Sequence, residues 1–303
     1  MGRVANWLRP IYEQIRTGVL GGGYVQIDET PVEYLEPGNG QTKLGYLWTC
    51  ARPGGDTVFT WHVSRAAACL ETIIPCDWRG KIQSDAYAAY MAFVRQHNAA
   101  AGAQAIVLAA CWAHVRRAIF EARESDPRIS GWLLHQIALL YRIEAHLRAC
   151  KAAPKLREAM RAAHSAPILR RIHAALRLIR GRYLPQSALG KAITYTLDLW
   201  PELEIFLTDG RVEIDNNGVE NAIRPTALGK KNWLFIGAAE AGERGAILYT
   251  ILESCRRRRI DPIAYLRDVL TRLPKMTTGQ IPDVTPEAWA KARRQGRESR
   301  PAA

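Results

Sequence analysis

Between Trp112 and about Trp200 the chain gives no strand signal: Ala, Leu, Arg and Lys dominate, and Leu133, Ile137, Leu140, Tyr141 and Glu144 recur at helical spacing. A stretch that long with one periodicity reads as a helical insert, punctuated by Pro154, Pro167 and Pro185. The sequence before it is different. Residues 1–20, with Trp7, Leu8, Ile11, Ile15, Val19 and Leu20, read as an amphipathic helix stopped by Gly21-Gly22-Gly23. Strands are expected at 24–28, 44–51 and 57–63, separated by the turns Pro37-Gly38-Asn39-Gly40 and Arg52-Pro53-Gly54-Gly55, so the three form an antiparallel meander. Helices at 66–74 and 87–96 then alternate with strands at 81–84 and 105–110, giving the order βββαβαβ.

After the insert, residues 213–225 read as a capped helix start, with Asn216 or Asn217 as the cap, Val219, Ala222 and Ile223 as its apolar face, and Pro225 disturbing the helix beyond it. A short extended segment at 230–237, amphipathic helices at 242–258 and 262–273, and a disordered tail from about Lys275 complete the reading. The expected organisation is an N-terminal helix (1–23), a first core part (24–125), the helical insertion (126–205), a second core part (206–240), C-terminal helices (241–275) and the tail (276–303).

With 42 Lys and Arg against 29 Asp and Glu, the formal net charge is +13, which favours a polyanionic partner. The cysteines at 50, 69, 76, 111, 150 and 255 include no Cys-x-x-Cys pair, so reduced thiols are expected rather than a zinc ribbon or a disulfide scaffold. No apolar run approaches the roughly 20 residues of a membrane span, and no signal-peptide pattern opens the chain. A soluble, intracellular protein is expected.

Three acids stand out by position. Asp28 falls at the end of the first expected strand, Asp85 at a strand-to-helix junction, and Glu220 in the first turn of a late helix. Taken singly, each is explained as a cap, a turn residue or a partner of the helix dipole. Asp215 rivals Glu220 but sits where capping is the natural role; Glu29 should point to the opposite strand face from Asp28. Cys111 and His114 have ligand-like spacing, yet no second pair completes a tetrahedral zinc site. His114 and Arg117 are placed near the active site or a DNA backbone, with a packed core histidine as the alternative. Arg224, Lys230 and Lys231 are candidate phosphate clamps; Trp233 either stacks on a base or is buried; the run Arg256 to Arg259 contacts DNA or complements a helix end.

Taken together, three acids on the first strand, the fourth strand and a late helix resemble the ribonuclease H-like arrangement, in which those positions converge. Carboxylates so placed suit two Mg²⁺ ions about 3.5 to 4 Å apart, which activate a water or a 3′-hydroxyl and stabilise the leaving oxygen. The strings Asp28-Glu29-Thr30-Pro31, Ser84-Asp85-Ala86-Tyr87-Ala88-Ala89-Tyr90, Cys111-Trp112-Ala113-His114-Val115-Arg116-Arg117, Asp215-Asn216-Asn217 through Glu220-Asn221-Ala222-Ile223-Arg224-Pro225, and Gly229-Lys230-Lys231-Asn232-Trp233-Leu234-Phe235 closely resemble the insertion sequence 66 family of DDE transposases. The likeness runs in order from about residue 3 to about residue 273, with Asp261-Pro262-Ile263-Ala264-Tyr265-Leu266 near its end and residues 53–78 as its least typical part.

The resemblance implies an α/β, ribonuclease H-like mixed-sheet core interrupted by an all-α insertion, with C-terminal helices. It implies metal-dependent cleavage and transfer of DNA strands at transposon ends, with Asp28, Asp85 and Glu220 as catalytic ligands of two Mg²⁺ ions, Mn²⁺ being a substitute. His114, Arg116, Arg117, Arg224, Lys230, Lys231 and Trp233 would then support the ligands or touch DNA. Transposon-end and target DNA, a homo-oligomer and element-encoded accessory proteins are the expected partners, and the bacterial cytoplasm the expected location. Family members carry an N-terminal DNA- and zinc-binding region that this chain lacks, so a catalytic-core fragment is expected, the alternatives being a silent DNA-binding remnant or a ribonuclease H-like nuclease.

Overall fold

A computed structural model describes residues 2–36, 38 and 40–298. Its elements begin with helix α1 (Gly2–Leu20), strands β1 (Tyr24–Leu35), β2 (Thr42–Ala51) and β3 (Thr57–His62), helix α2 (Ala68–Ile73), strand β4 (Gly80–Gln83), helix α3 (Ala88–Ala101) and strand β5 (Ile106–Ala109). Helices α4 (Trp112–Glu121), α5 (Pro127–Ala149), α6 (Pro154–Met160), α7 (Ala166–Ile179), α8 (Ala188–Asp198) and α9 (Trp200–Thr208) come next, without an intervening strand among the described residues. The chain closes with α10 (Asn217–Trp233), β6 (Phe235–Ile236), α11 (Ala239–Arg257), α12 (Pro262–Arg272) and α13 (Pro286–Glu298). The α/β class, the βββαβαβ order and the strand-free helical stretch are therefore as expected. Pro37 and Asn39 of the first expected turn lie outside the described residues.

Contacts group the chain into two compact units, Met1–Arg79 with Gly218–Ala303, and Gly80–Asn217. The first is rich in strands. Its β1 and β2 pair antiparallel from Gln26 with Ala51 to Leu35 with Thr42, β3 continues the meander against β2, and β6 lies parallel to β1 at Glu33 and Tyr34. Val32, Leu47, Phe59, Ile223 and Ala246 form one apolar cluster, which packs α10 and α11 against the meander. The outer edge of β3 is not left bare, because the Phe59 N–H donates to Thr250 Oγ1 (2.9 Å) and its carbonyl accepts from the Tyr12 hydroxyl (3.1 Å).

The second unit is mainly helical. Its two strands, β4 and β5, run parallel from Gly80 with Ile106 to Gln83 with Ala109, joined by α3 in a βαβ crossover. Asn98 on α3 stitches that crossover, accepting from the Ala105 and Ile106 N–H groups and donating to the Ile106 carbonyl. Contacts group these two strands with the helices. The reason is a set of bonds from the strand ends to the segment after α9: Lys81 Nζ to Asp209 (2.6 Å), Gln83 Nε2 to the Glu213 carbonyl (2.8 Å) and the Trp112 N–H to the Ile214 carbonyl (3.1 Å).

Two expectations need correction. The first strand does not end at Asp28: pairing with β2 carries β1 on to Leu35, with Val32 and Tyr34 buried between the exposed Pro31 and Glu33. Pro225 lies inside α10, which runs through it to Trp233; the Asn221 position, whose carbonyl loses its partner, is exposed and open to water. Finally, residues 276–298 are not a disordered tail. Thr277 and Gln280 form a capping box, Ile281, Val284, Trp289 and Ala290 are buried, and Tyr265 donates to the Val284 carbonyl (2.6 Å). Apolar anchors spaced through a polar stretch were enough to fix it; residues 299–303 lie outside the described residues.

Candidate active site

Two of the three candidate carboxylates, Asp28 and Glu220, belong to the strand-rich unit. At one end of α10, a Cβ on Gly218 would lie 2.7 Å from Gln26 Oε1, so the helix starts close against the Gln26 side chain of β1. At the other end, Lys230 Nζ donates to the Pro31 carbonyl (3.0 Å) and lies 3.4 Å from Thr30 Oγ1. The helix therefore runs beside β1 in the same direction. The Gly218 end of α10, which carries Glu220, thus lies beside Gln26, and the Lys230 end beside Thr30 and Pro31.

Side-chain alternation supplies the second coordinate. Gln26 and Thr30 both reach α10, so Asp28, two residues from each, faces the same helix. Asp28 and Glu220 are both half-buried, and Asp28 Oδ1 accepts from the Glu29 N–H (2.9 Å). Glu29 points the other way, as expected from the sequence. Its carboxylate is buried in an ion pair with Arg65, which takes it out of the set of candidate ligands.

Asp85 lies in the helical unit, directly after β4. Its Oδ1 accepts from the Tyr87 N–H (3.0 Å), and the preceding Ser84 Oγ accepts from the Ala86 N–H (3.1 Å). Ala86 has φ of 59°, a left-handed conformation costing an alanine about 1 kcal/mol or more. The Asp85 carbonyl accepts from the hydroxyl of Tyr195 on α8 (3.3 Å). Burial, then the Asp85 charge, raise the Tyr195 pKa, while Arg117 opposes them. Tyr195 was not singled out from the sequence, because a tyrosine in a helical stretch carries no signal of its own.

Asp215 performs the capping role anticipated for it. Its Oδ1 accepts from the Asn217 N–H (3.1 Å) and its Oδ2 from the Asn217 side chain (2.9 Å), so Asp215, rather than Asn216 or Asn217, receives the amides that open α10. Burial raises the Asp215 pKa against these bonds and one from Tyr141. Asn216 is fully buried beside Cys111, its N–H 3.5 Å from the sulfur. Burial pushes the Cys111 thiol up to about 12.

The remaining candidates are spread over both units. His114 is half-buried on α4, where Arg116 and Arg117 are exposed; Arg224 and Lys231 are exposed on α10. The Lys230 ammonium is committed to β1, so a phosphate would have to displace that bond. Trp233, 37% exposed, is not the core residue that a tryptophan usually is; its indole folds over Gly229, where a Cβ would come within 2.7 Å of Nε1. For a metal, Asp28, Asp85 and Glu220 offer only hard carboxylate oxygens. Oxygens of that kind suit Mg²⁺ or Mn²⁺.

Comparison with known proteins adds an independent line. Residues 1–244 match the family described as Transposase IS66 family, and residues 250–290 match the IS66 C-terminal element. The uncharacterized protein y4jD of Sinorhizobium fredii is 33% identical over 299 residues, which cover 95% of this chain and 58% of that protein. The uncharacterized protein y4qI of the same organism is 32% identical over 282 residues, covering 90% of this chain and 52% of the relative. The chain thus spans a little over half the length of the curated relatives it matches. No solved structure matches it.

Proposed function

Because this chain belongs to the IS66 transposase family, we propose that it carries the catalytic residues of an insertion-element transposase that cleaves DNA at the element's ends and transfers the freed strands. The observation that supports the proposal is the run of α10 along β1 from Gln26 to Pro31, the stretch of strand that carries Asp28. Asp85 is the third ligand, held at the end of β4 by the Tyr87 N–H and a left-handed Ala86.

In this reading Asp28, Asp85 and Glu220 hold two Mg²⁺ ions. When bound, the ions would supply activation of the attacking oxygen and stabilisation of the leaving oxygen during in-line displacement at phosphorus. The protein's own part is positioning. β1 fixes Asp28 between the two points where α10 touches the strand, and Tyr195 steadies the backbone of Asp85. Arg116, Arg117, Arg224 and Lys231 are exposed cations that would meet phosphates, and the exposed Trp233 would stack on an unpaired base. Asp215, tied up in capping, stays out of the ligand set. The bacterial cytoplasm, a homo-oligomer and accessory proteins remain part of the proposal, and among the described residues no helix is long and apolar enough to cross a membrane.

The test is nicking of a labelled duplex bearing the element's end, in Mg²⁺ and in Mn²⁺. The parent chain should nick it, and Asp28→Asn, Asp85→Asn and Glu220→Gln should each lower the rate at least about a thousandfold, the several kcal/mol a metal site supplies. A parent chain silent in both metals, or a Glu220→Gln variant at the parent rate, overturns the reading.

A further inference from the structure

The C-terminal end of α11 runs into four consecutive arginines, three of which are held by acids. Arg256 and Arg257 pair with Glu253 at 2.6 and 3.0 Å, while Arg258 pairs with Asp56 and, at 3.1 Å, with Glu287. Arg257 also donates to the Gly55 carbonyl (2.9 Å), so this stretch forms a fixed floor. Arg259 is different: it is exposed and its backbone is left-handed, with φ of 54°. It lines a cleft of about 270 Å³ together with Arg293 and Arg294 of α13. A second cleft of about 390 Å³ opens between Gly54-Gly55 and α13, lined by Lys291 and again by Arg294. Arg258 and Arg294 border both clefts, so the two make one groove.

The acids along this groove are already engaged. Glu287 pairs with Arg258, and Asp261 accepts the Ile263 N–H (3.0 Å) as the cap of α12. Lys291, Arg293 and Arg294 are exposed on one wall and Arg259 on the other. Arg293 lies over the Trp289 ring at 4.2 Å, which fixes its stem without neutralising its charge. Four cations bordering two adjoining clefts, Lys291 and Arg294 at one and Arg259, Arg293 and Arg294 at the other, match several phosphates rather than a single small anion.

The geometry points to this C-terminal groove as a docking surface for the phosphodiester backbone of DNA, separate from the residues assigned to cleavage. The choice of DNA rests on the transposase reading. Backbone contacts of this kind set register and affinity without reading sequence.

The experiment is binding of the full chain to a labelled random-sequence duplex, by fluorescence anisotropy without divalent metal, from about 50 to 200 mM salt. The triple variant Lys291→Gln/Arg293→Gln/Arg294→Gln should weaken binding and reduce the log–log salt slope by about 2 to 3; Arg259→Gln, from the opposite wall, should reduce it by about 1. All four side chains are exposed, so the fold should survive, as a matched thermal melt would verify. An unchanged slope overturns the proposal. So does an equal loss from Arg170→Gln/Arg171→Gln/Arg177→Gln on α7, which would indicate net charge alone, or a loss confined to binding of phosphatidylserine vesicles. Because no cleavage is measured, a chain that binds through the groove yet never nicks DNA would refute the catalytic reading and leave this one standing.

Discussion

In the helical unit the Arg161 guanidinium and the Glu144 carboxylate are both wholly buried, whereas in the strand-rich unit Lys291, Arg293 and Arg294 stand exposed on α13. Arg161 bonds both Glu144 oxygens at 2.7 and 2.8 Å and donates to the Phe206 and Asp209 carbonyls at 2.6 and 3.1 Å. Arg157 extends the network from Glu144 to Glu213. These charges brace the segment that leads from α9 to Asn217, so their work is internal. Among the described residues, the cations of α13 have no comparable set of acids around them, and they suit an outside partner. The same residue type thus does opposite jobs, and its surroundings decide which.

The sharpest way to break this contrast is Arg161→Met. Leaving Glu144 buried with only Arg157 should cost about 3 to 5 kcal/mol in urea unfolding, and adding Glu144→Leu should recover part of that loss. A loss below about 1 kcal/mol would mean that the network is dispensable.

Acid provides a gentler probe. Burial opposes ionisation of Glu144, but Arg161 and Arg157 outweigh it and hold the carboxyl below its usual range; Arg211, aided by Lys81, does the same for Asp209. Both folded values are depressed, so their stabilisation is present above the ordinary carboxylate range of about 4 and is lost as pH falls through the folded values. Amide exchange in the helical unit should therefore rise as pH drops below about 4, and Glu144→Gln should flatten that dependence at the expense of stability at neutral pH. An identical pH profile for Glu144→Gln would count against the role given to this pair.

The smallest effects concern the Asp85 loop. Tyr195→Phe should cost about 1 kcal/mol and Ala86→Gly should gain up to about 1 kcal/mol, both read from urea midpoints. If instead Ala86→Gly destabilises the chain, the left-handed residue is not a strained one.

Much of the candidate site was legible along the chain. The alternation of Asp28 and Glu29 on opposite strand faces is a property of any extended backbone, and Asp28 toward α10 with Glu29 toward Arg65 realise it. The capping role of Asp215 and the helical character of residues 112–200 were legible for the same reason: caps and periodicities act within a few residues. The extension of β1 past Asp28 was not, because its cause is the pairing of Val32 and Tyr34 with β2, which no local residue announces. The ordered segment at 276–298 escaped notice because Ile281, Val284 and Trp289 are sparse in a polar stretch and gain their meaning only from Tyr265 and Asp268.

The sequence by itself determined the element types, their βββαβαβ order, the three acids and the excess of positive charge, since propensity, capping and composition are local or additive quantities. Tertiary structure decided that α10 runs along the part of β1 that carries Asp28, that Tyr195 reaches the Asp85 backbone, and which arginines are buried and which exposed. Those outcomes depend on close approach between residues far apart in the chain, such as Gly218 on Gln26 or Arg161 on Glu144, and on the low dielectric that burial creates around them.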